Sequence, residues 1–178
     1  MNEVFKLDIV GFNAELPILT LPSGIKIAFF NLHGAQEMTE HCGKALAKLC
    51  TADVIITAES KGLQLAHVVA RELNMPFYAV ARKSKKLYMQ DGINVSYGSS
   101  ITTGKAQELF LSKHDIDIIK GKKVAIVDDV ISTGESLKGL EALVEKAGGI
   151  VYEKLFVLAE GDSKDRDDVK YLATIPLL

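Results

Sequence analysis

Two adjacent carboxylates, Asp128 and Asp129, follow the apolar run Val124-Ala125-Ile126-Val127 and precede Val130-Ile131-Ser132-Thr133-Gly134-Glu135-Ser136. The apolar run is too short for a helix and reads as a strand buried on both faces. Carboxylates at the carboxyl end of such a strand face the crevice where open α/β sheets take their ligands. The hydroxyl-rich turn that follows opens a helix, whose first N–H groups lack internal partners and suit a phosphate. Ser132, Thr133 and Ser136 add hydroxyl donors, and Gly134 lets the backbone approach closely. The complementary ligand has a phosphate at one end and neighbouring hydroxyls a few ångströms away, which describes a ribose 5-phosphate. A plain strand followed by a Ser- or Thr-capped helix accounts for only one of these hydroxyls.

Two further stretches carry charge near strand ends. Val54-Ile55-Ile56-Thr57-Ala58 runs into Glu59-Ser60-Lys61-Gly62, and Pro76-Phe77-Tyr78-Ala79-Val80 runs into Arg82-Lys83-Ser84-Lys85-Lys86. A planar Arg fork and a Lys point charge both suit phosphate oxygens, although Lys85 and Lys86 read equally well as solvated surface. The acidic stretch Glu160 to Asp168 reads as a solvated turn, because Lys164 and Arg166 interrupt it and no metal-loop spacing is present. Competing nucleotide motifs are missing. The Gly-Lys pairs at 43, 104 and 121 are followed by Ala or Lys rather than Ser or Thr, and no G-x-G-x-x-G occurs. His33, His41, His67 and His114 show neither zinc spacing nor a triad arrangement, and none is assigned a catalytic role.

The elements that must position these groups alternate. Met38, Cys42, Ala45, Leu46 and Leu49 form a helical stripe, residues 62–73 a more uniformly apolar helix, and Leu137, Leu140 and Val144 another stripe. Gly148-Gly149 stops that last helix before the strand-like run from Ile150 to Ala159. Strands alternating with helices predict an α/β fold, with a mostly parallel central sheet flanked by helices on both faces. Residues 1–178 read as one domain, with a small N-terminal hood over about 7–31 and a polar lid loop over about 84–107. Asp91-Gly92 between Leu87/Met89 and Ile93/Val95/Tyr97 predicts a hairpin turn, and the Gly/Ser/Thr stretch after it a mobile segment.

Composition narrows the classes. The 178 residues are 48% hydrophobic and 25% charged with a formal net charge of −2, which excludes disorder and a nucleic-acid footprint. No apolar run approaches the ~20 residues of a membrane span, and the acidic start lacks a secretory n-region. Cys42 and Cys50 fit ordinary buried thiols in a reducing, cytoplasmic setting.

The run from Val124 to Ser136 resembles the phosphoribosyl pyrophosphate (PRPP) signature of type I phosphoribosyltransferases. The resemblance extends over about residues 25–160 and is strongest to the adenine and xanthine enzymes. It implies that Asp128 and Asp129 hold the ribose hydroxyls and that residues 130–136 (Val130, Ile131, Ser132, Thr133, Gly134, Glu135, Ser136) bind the 5-phosphate. By the same resemblance Glu59, Ser60, Lys61 and Gly62 form a pyrophosphate loop, one that in relatives commonly carries a non-proline cis peptide, and Arg82 and Lys83 bring charge to pyrophosphate. It further implies Mg²⁺ bridging the substrate, a homodimer, and Lys105 of the lid reaching pyrophosphate on closure. Phe29-Phe30-Asn31 matches the base-reading element of the xanthine enzymes, with Phe29 and Asn31 as base contacts, though Asn31 could also cap the helix after His33-Gly34. Glu160 matches the first residue of their Glu-Lys pair, while Gly161 stands where the Lys would be. The Glu-Tyr pair of the adenine lid is replaced by Thr103-Gly104. The acceptor therefore stays open between adenine, xanthine and another base. A PRPP-sensing protein without turnover is the alternative class.

Overall fold

Alternation inside the buried runs decides the architecture. In a computed structural model describing residues 3–98 and 106–178, Val54 and Ile56 face one core while Ile55 faces another, and Val124 and Ile126 are separated from Ala125 and Val127 in the same way. A strand that is apolar at every position thus serves two helical layers at once.

In chain order the elements are β1 (Val4–Ile9), β2 (Phe12–Thr20), β3 (Lys26–Ala28), α1 (Gln36–Ala47), β4 (Val54–Ala58), α2 (Leu63–Glu72) and β5 (Ala79–Ala81). There follow β6 (Ile93–Tyr97), β7 (Gln107–Leu111), α3 (Lys113–Ile119), β8 (Lys123–Ile131), α4 (Glu135–Lys146), β9 (Ile150–Glu160) and β10 (Lys170–Ile175). The central sheet has the order β10-β9-β8-β4-β5, and every pairing in it is parallel. Helices α1 and α2 pack on one face together with Ile9, Ala14 and Leu16 of the antiparallel β1-β2-β3 sheet. Helices α3 and α4 and the β6-β7 ribbon cover the other.

The hood is thus a three-stranded sheet beginning at Val4, earlier than the sequence suggested, and its last strand stops at Ala28. The strand expected at 76–80 is only Ala79–Ala81: Pro76 has no N–H for a ladder, and Phe77 is exposed. The hairpin expected at Asp91-Gly92 does not form. Leu87 and Tyr88 are exposed, and β6 pairs instead with β7 across the polar segment. Gly92 is there because a Cβ would lie 2.2 Å from the Leu111 carbonyl oxygen of the neighbouring strand. The ribbon is seated on α4 by Tyr97, whose ring occupies the space that a Cβ on Gly139 would need, at 2.7 Å. Residues 99–105 of the expected lid lie outside the described residues.

Candidate active site

The winding of the sheet reverses between β4 and β8: the chain steps from β4 outward to β5, then returns to build β8, β9 and β10 on the other side. Such a switch point leaves a crevice at the carboxyl ends of the strands. Here the β4–β8 register ends at Ile56↔Ile126, whereas β8 stays paired with β9 through Ile131↔Ala159. Strand β8 therefore carries Asp128 and Asp129 within it, not at its end, and the gap opens on the β4 side. The loop Glu59 to Gly62, with a cis Glu59-Ser60 peptide, folds over that gap. A Cβ on Gly62 would lie 2.1 Å from Thr57 Oγ1 and 3.0 Å from Asp128 Oδ1, so this position tolerates only glycine.

The two carboxylates are tethered by their own backbone. The Asp129 N–H donates to Asp128 Oδ1 at 2.9 Å, and the Val130 N–H donates to Asp129 Oδ1 at 2.8 Å. Burial, reinforced by the Asp129 charge, raises the Asp128 carboxyl above the ordinary carboxylate range, while the Asp129 N–H and the Lys83 charge pull it down. Asp129 is buried, and its Oδ2 has no hydrogen-bond partner; Lys61 Nζ stands 4.0 Å away. Thr57 Oγ1 is the other buried side-chain atom without a partner among the described residues. Free carboxylate oxygens suit a hard cation, and no group of three or more His, Cys, Asp or Glu among the described residues forms an all-protein cage. Mg²⁺ takes one or two carboxylates and fills its remaining positions with substrate and water oxygens, so the donor set fits it.

Beyond β8, residues 132–136 line a cavity of about 120 Å³ together with Asp128 and Phe156. Gly134 is the N-cap of α4 at φ 81°, and no side chain caps the helix. The plain alternative of a Ser- or Thr-capped helix fails here: the hydroxyls are not spent on the helix, and its first N–H groups are left without a side-chain cap. Val130 and Ile131 line the same cavity from the strand, with the Val130 N–H given to Asp129 and the Ile131 carbonyl accepting from Ser163 Oγ. Residues 160–168 form a turn whose acids Asp162, Asp165, Asp167 and Asp168 are exposed, as the sequence suggests, but that last bond anchors it. Ser163 is buried, and it ties the segment to the end of β8.

On the opposite side of the gap the expected cations are held in pairs. Glu59 Oε2 accepts from Arg82 Nε at 2.7 Å, Glu59 Oε1 accepts from the Lys83 N–H at 2.7 Å, and Arg82 Nη1 donates to Tyr88 OH at 3.0 Å. Glu59 is therefore the residue that aims Arg82, with both oxygens already engaged. The end of the hood lies on this loop: Lys61 Nζ sits 5.3 Å from the Phe29 ring centroid, and His33 Nε2 lies 3.4 Å from Ser60 Oγ. Asn31 Oδ1 accepts from the His33 N–H at 3.1 Å, while the N-cap of α1 is Ala35 and no side chain caps the helix, so Asn31 shapes the turn and does not cap the helix.

The structure thus brings Phe29, Ser60, Lys61, Gly62, Asp128 and Asp129 to one crevice, with Arg82 and Lys83 joined to it through Glu59. Glu160 closes β9, and the hydrogen bonds of its backbone tie it through Ser163 to the phosphate turn, none to Phe29 or Asn31. Lys86 Nζ bonds Ser84, and Lys105 lies outside the described residues. Thr57, His33, Tyr88 and Arg166 were not singled out by sequence. Only Thr57, a lone polar residue in an otherwise apolar strand, carried a signal there.

Residues 31–174 match the family described as phosphoribosyl transferase domain. The chain is 31% identical over 170 residues to an adenine phosphoribosyltransferase of Methanococcus maripaludis, covering 94% of this chain and 87% of that one. It is 35% identical over 163 residues to a xanthine phosphoribosyltransferase of Bacillus thuringiensis, covering 85% and 80%. The fold resembles a crystal structure of adenine phosphoribosyltransferase from Thermoanaerobacter pseudethanolicus with a TM-score of 0.72 at 23% identity, covering 90% of this chain and 95% of that one.

Proposed function

That the chain belongs to the phosphoribosyltransferase family is the premise from which we propose its reaction: transfer of the 5-phosphoribosyl group from PRPP to a ring nitrogen of a free purine, releasing pyrophosphate. The observation that carries this reading is that Asp128 faces an uncapped α4 N-terminus across one small cavity, with the buried Asp129 carboxylate next to it in the chain. A sugar phosphate satisfies both halves of that arrangement at once.

In this reading the N–H groups and hydroxyls of residues 132–136 take the 5-phosphate, and the two carboxylates take the ribose hydroxyls. Together they fix C1 with its pyrophosphate directed toward Ser60, Lys61 and Arg82. A purine ring nitrogen forms a bond to C1 as the C1–O bond breaks and pyrophosphate leaves with the electron pair; the displaced N–H proton passes to solvent. Positive charge develops on the sugar, as in glycoside chemistry, and the nearby carboxylates stabilise it. Asp128 and Asp129 would hold Mg²⁺, which would supply charge neutralisation for the leaving pyrophosphate. Phe29 offers a flat apolar face for the base beside Lys61, and Asn31 and Glu160 remain the proposed polar readers.

The acceptor class is purine because the relatives named for adenine and for xanthine each match over most of the chain, with adenine as the first choice. We also read the enzyme as a homodimer of the cytoplasm. Tyr88 beside Arg82, and Phe77 meeting His114 edge to face, leave an exposed apolar surface around one hollow that a second copy would cover. Both cysteines are buried and unpaired, with burial holding their thiols up at about 12 and about 11, which suits a reducing compartment. No helix among the described residues is long and apolar enough to cross a membrane.

The deciding experiment incubates protein, PRPP and Mg²⁺ with adenine, xanthine, hypoxanthine and guanine in turn and follows pyrophosphate release. Turnover with adenine is expected. Turnover with xanthine alone would move the acceptor within the purines, and silence with all four while PRPP still binds would replace the enzyme with a sensor.

A further inference from the structure

Residues 160–168 hold five acids against two bases, and although most of them face solvent, Ser163 is buried and anchors the segment beside the turn after β8. Ser163 Oγ lies 2.8 Å from the carbonyl oxygens of both Ile131 and Glu160, which fastens the short 3₁₀ turn Gly161–Asp165 to the last residue of β8. The chain then lays Arg166 against Gly134: a Cβ on Gly134 would meet Arg166 Nη1 at 2.8 Å and Cζ at 3.9 Å. The far edge of that guanidinium is fixed. Its Nε donates to Asp168 Oδ1 at 2.9 Å and its Nη2 donates to Asp168 Oδ2 at 2.7 Å. Asp168 also accepts from Lys154 Nζ at 2.8 Å, and Lys154 pairs in turn with Glu141 of α4. The nitrogen turned to the phosphate turn, Nη1, makes no hydrogen bond among the described residues.

The turn itself is short of positive charge. Ser132, Thr133 and Ser136 are neutral, Glu135 is an acid answered by Lys138 at 2.9 Å, and Asp128 lines the same cavity. The N-terminus of α4 supplies only about half an elementary charge, against the near-dianion that a phosphate monoester is at neutral pH. We infer that Arg166 is the positioning residue of this turn: pinned by Asp168, it backs Gly134 from outside the cavity lining and lends the turn the cation that a 5-phosphate requires. The inference rests on reading residues 132–136 as the 5-phosphate turn. It places the specificity for a phosphorylated over an unphosphorylated pentose partly outside the signature run.

Calorimetric titration with ribose 5-phosphate tests this without needing turnover. R166Q should weaken ribose 5-phosphate about tenfold, with a smaller loss on raising KCl to about 0.5 M, where charge is screened. R166K should recover most of the affinity, and in steady state the R166Q defect should fall mainly on the PRPP KM. R166Q/D168N removes the cation without stranding Asp168, and it carries the same expectation should R166Q alone unfold. Wild-type affinity in these variants, or a loss that salt does not reduce and lysine does not restore, would overturn the inference while leaving the turnover reading intact. A wild-type protein that binds neither ribose 5-phosphate nor PRPP would overturn both.

Discussion

The two banks of the crevice are built on different principles. On the β8 side a single stretch of chain supplies strand, carboxylates, turn and helix start, so that each group is placed by the residue before it. On the β4 side Glu59, Arg82, Lys83 and Tyr88 come from three segments and reach a common geometry by binding one another, while Lys61 faces Asp129 across the gap. Contiguity fixes the order and spacing of the groups on the first bank, which still takes outside support from Ser163 and Arg166. Mutual pairing makes a site that a phosphate must enter by sharing or displacing partners. Substitutions on the first bank should therefore act singly and strongly, and those on the second should be shared among partners.

The largest effect is expected where the contiguous bank touches the sugar. D128N/D129N should lower pyrophosphate release by about a thousandfold or more while the circular dichroism spectrum stays native, since the pair orients C1 and answers its charge. Residual turnover within tenfold of wild type would remove the ribose from this bank. On the same bank T133V should raise the PRPP KM by about 1.5–3 kcal/mol of lost binding, the worth of a hydroxyl donated to a charged acceptor. An unchanged KM would leave Thr133 with no part in phosphate binding.

A third measurement reads the carboxylates through stability. The Asp128 carboxyl is raised on folding, so the native state holds more protons than the unfolded chain between the ordinary and the raised value, and stability falls as pH rises through that window. D128N abolishes this term. It should be more stable than wild type by about 1–2 kcal/mol at pH 8 in urea titrations, with the two converging near pH 4. A difference independent of pH would contradict the burial of that charge. The smallest effect belongs to the other bank. Y88F removes one of the two partners of Arg82 and leaves Glu59 holding the guanidinium, so the PRPP KM should rise only about twofold to threefold. A change as large as that of T133V would erase the distinction between the banks.

The same distinction governs what could be read from sequence. Residues 124–136 announced their chemistry because strand, acids and turn lie consecutively, and the parallel sheet followed from alternating apolar runs. The pairing of β6 with β7 was hidden because its partners flank a long polar segment, while Asp91-Gly92 offered a more obvious turn that the exposed Leu87 and Tyr88 could not support. Helix α3 carried a legible mark, the Ser112-x-x-Asp115 capping box, that was passed over because its apolar stripe is short. His33 on Ser60 and Arg166 on Gly134 could not be inferred by any local rule. Each is a contact between residues about thirty apart, made only by the fold.

The hydroxyl of Ser163 on the Ile131 carbonyl has a consequence for synthesis. The signature run is complete in sequence by residue 136, but the wall that steadies it arrives some thirty residues later, with β9 and the short turn after it. A nascent chain extending from the ribosome thus exposes an acidic strand and an unsupported turn until residue 166 has cleared the exit tunnel. Ligand binding should appear late and abruptly in a series of stalled chains of increasing length. The polypeptide would then acquire its affinity for sugar phosphate as one of the last events of its own assembly.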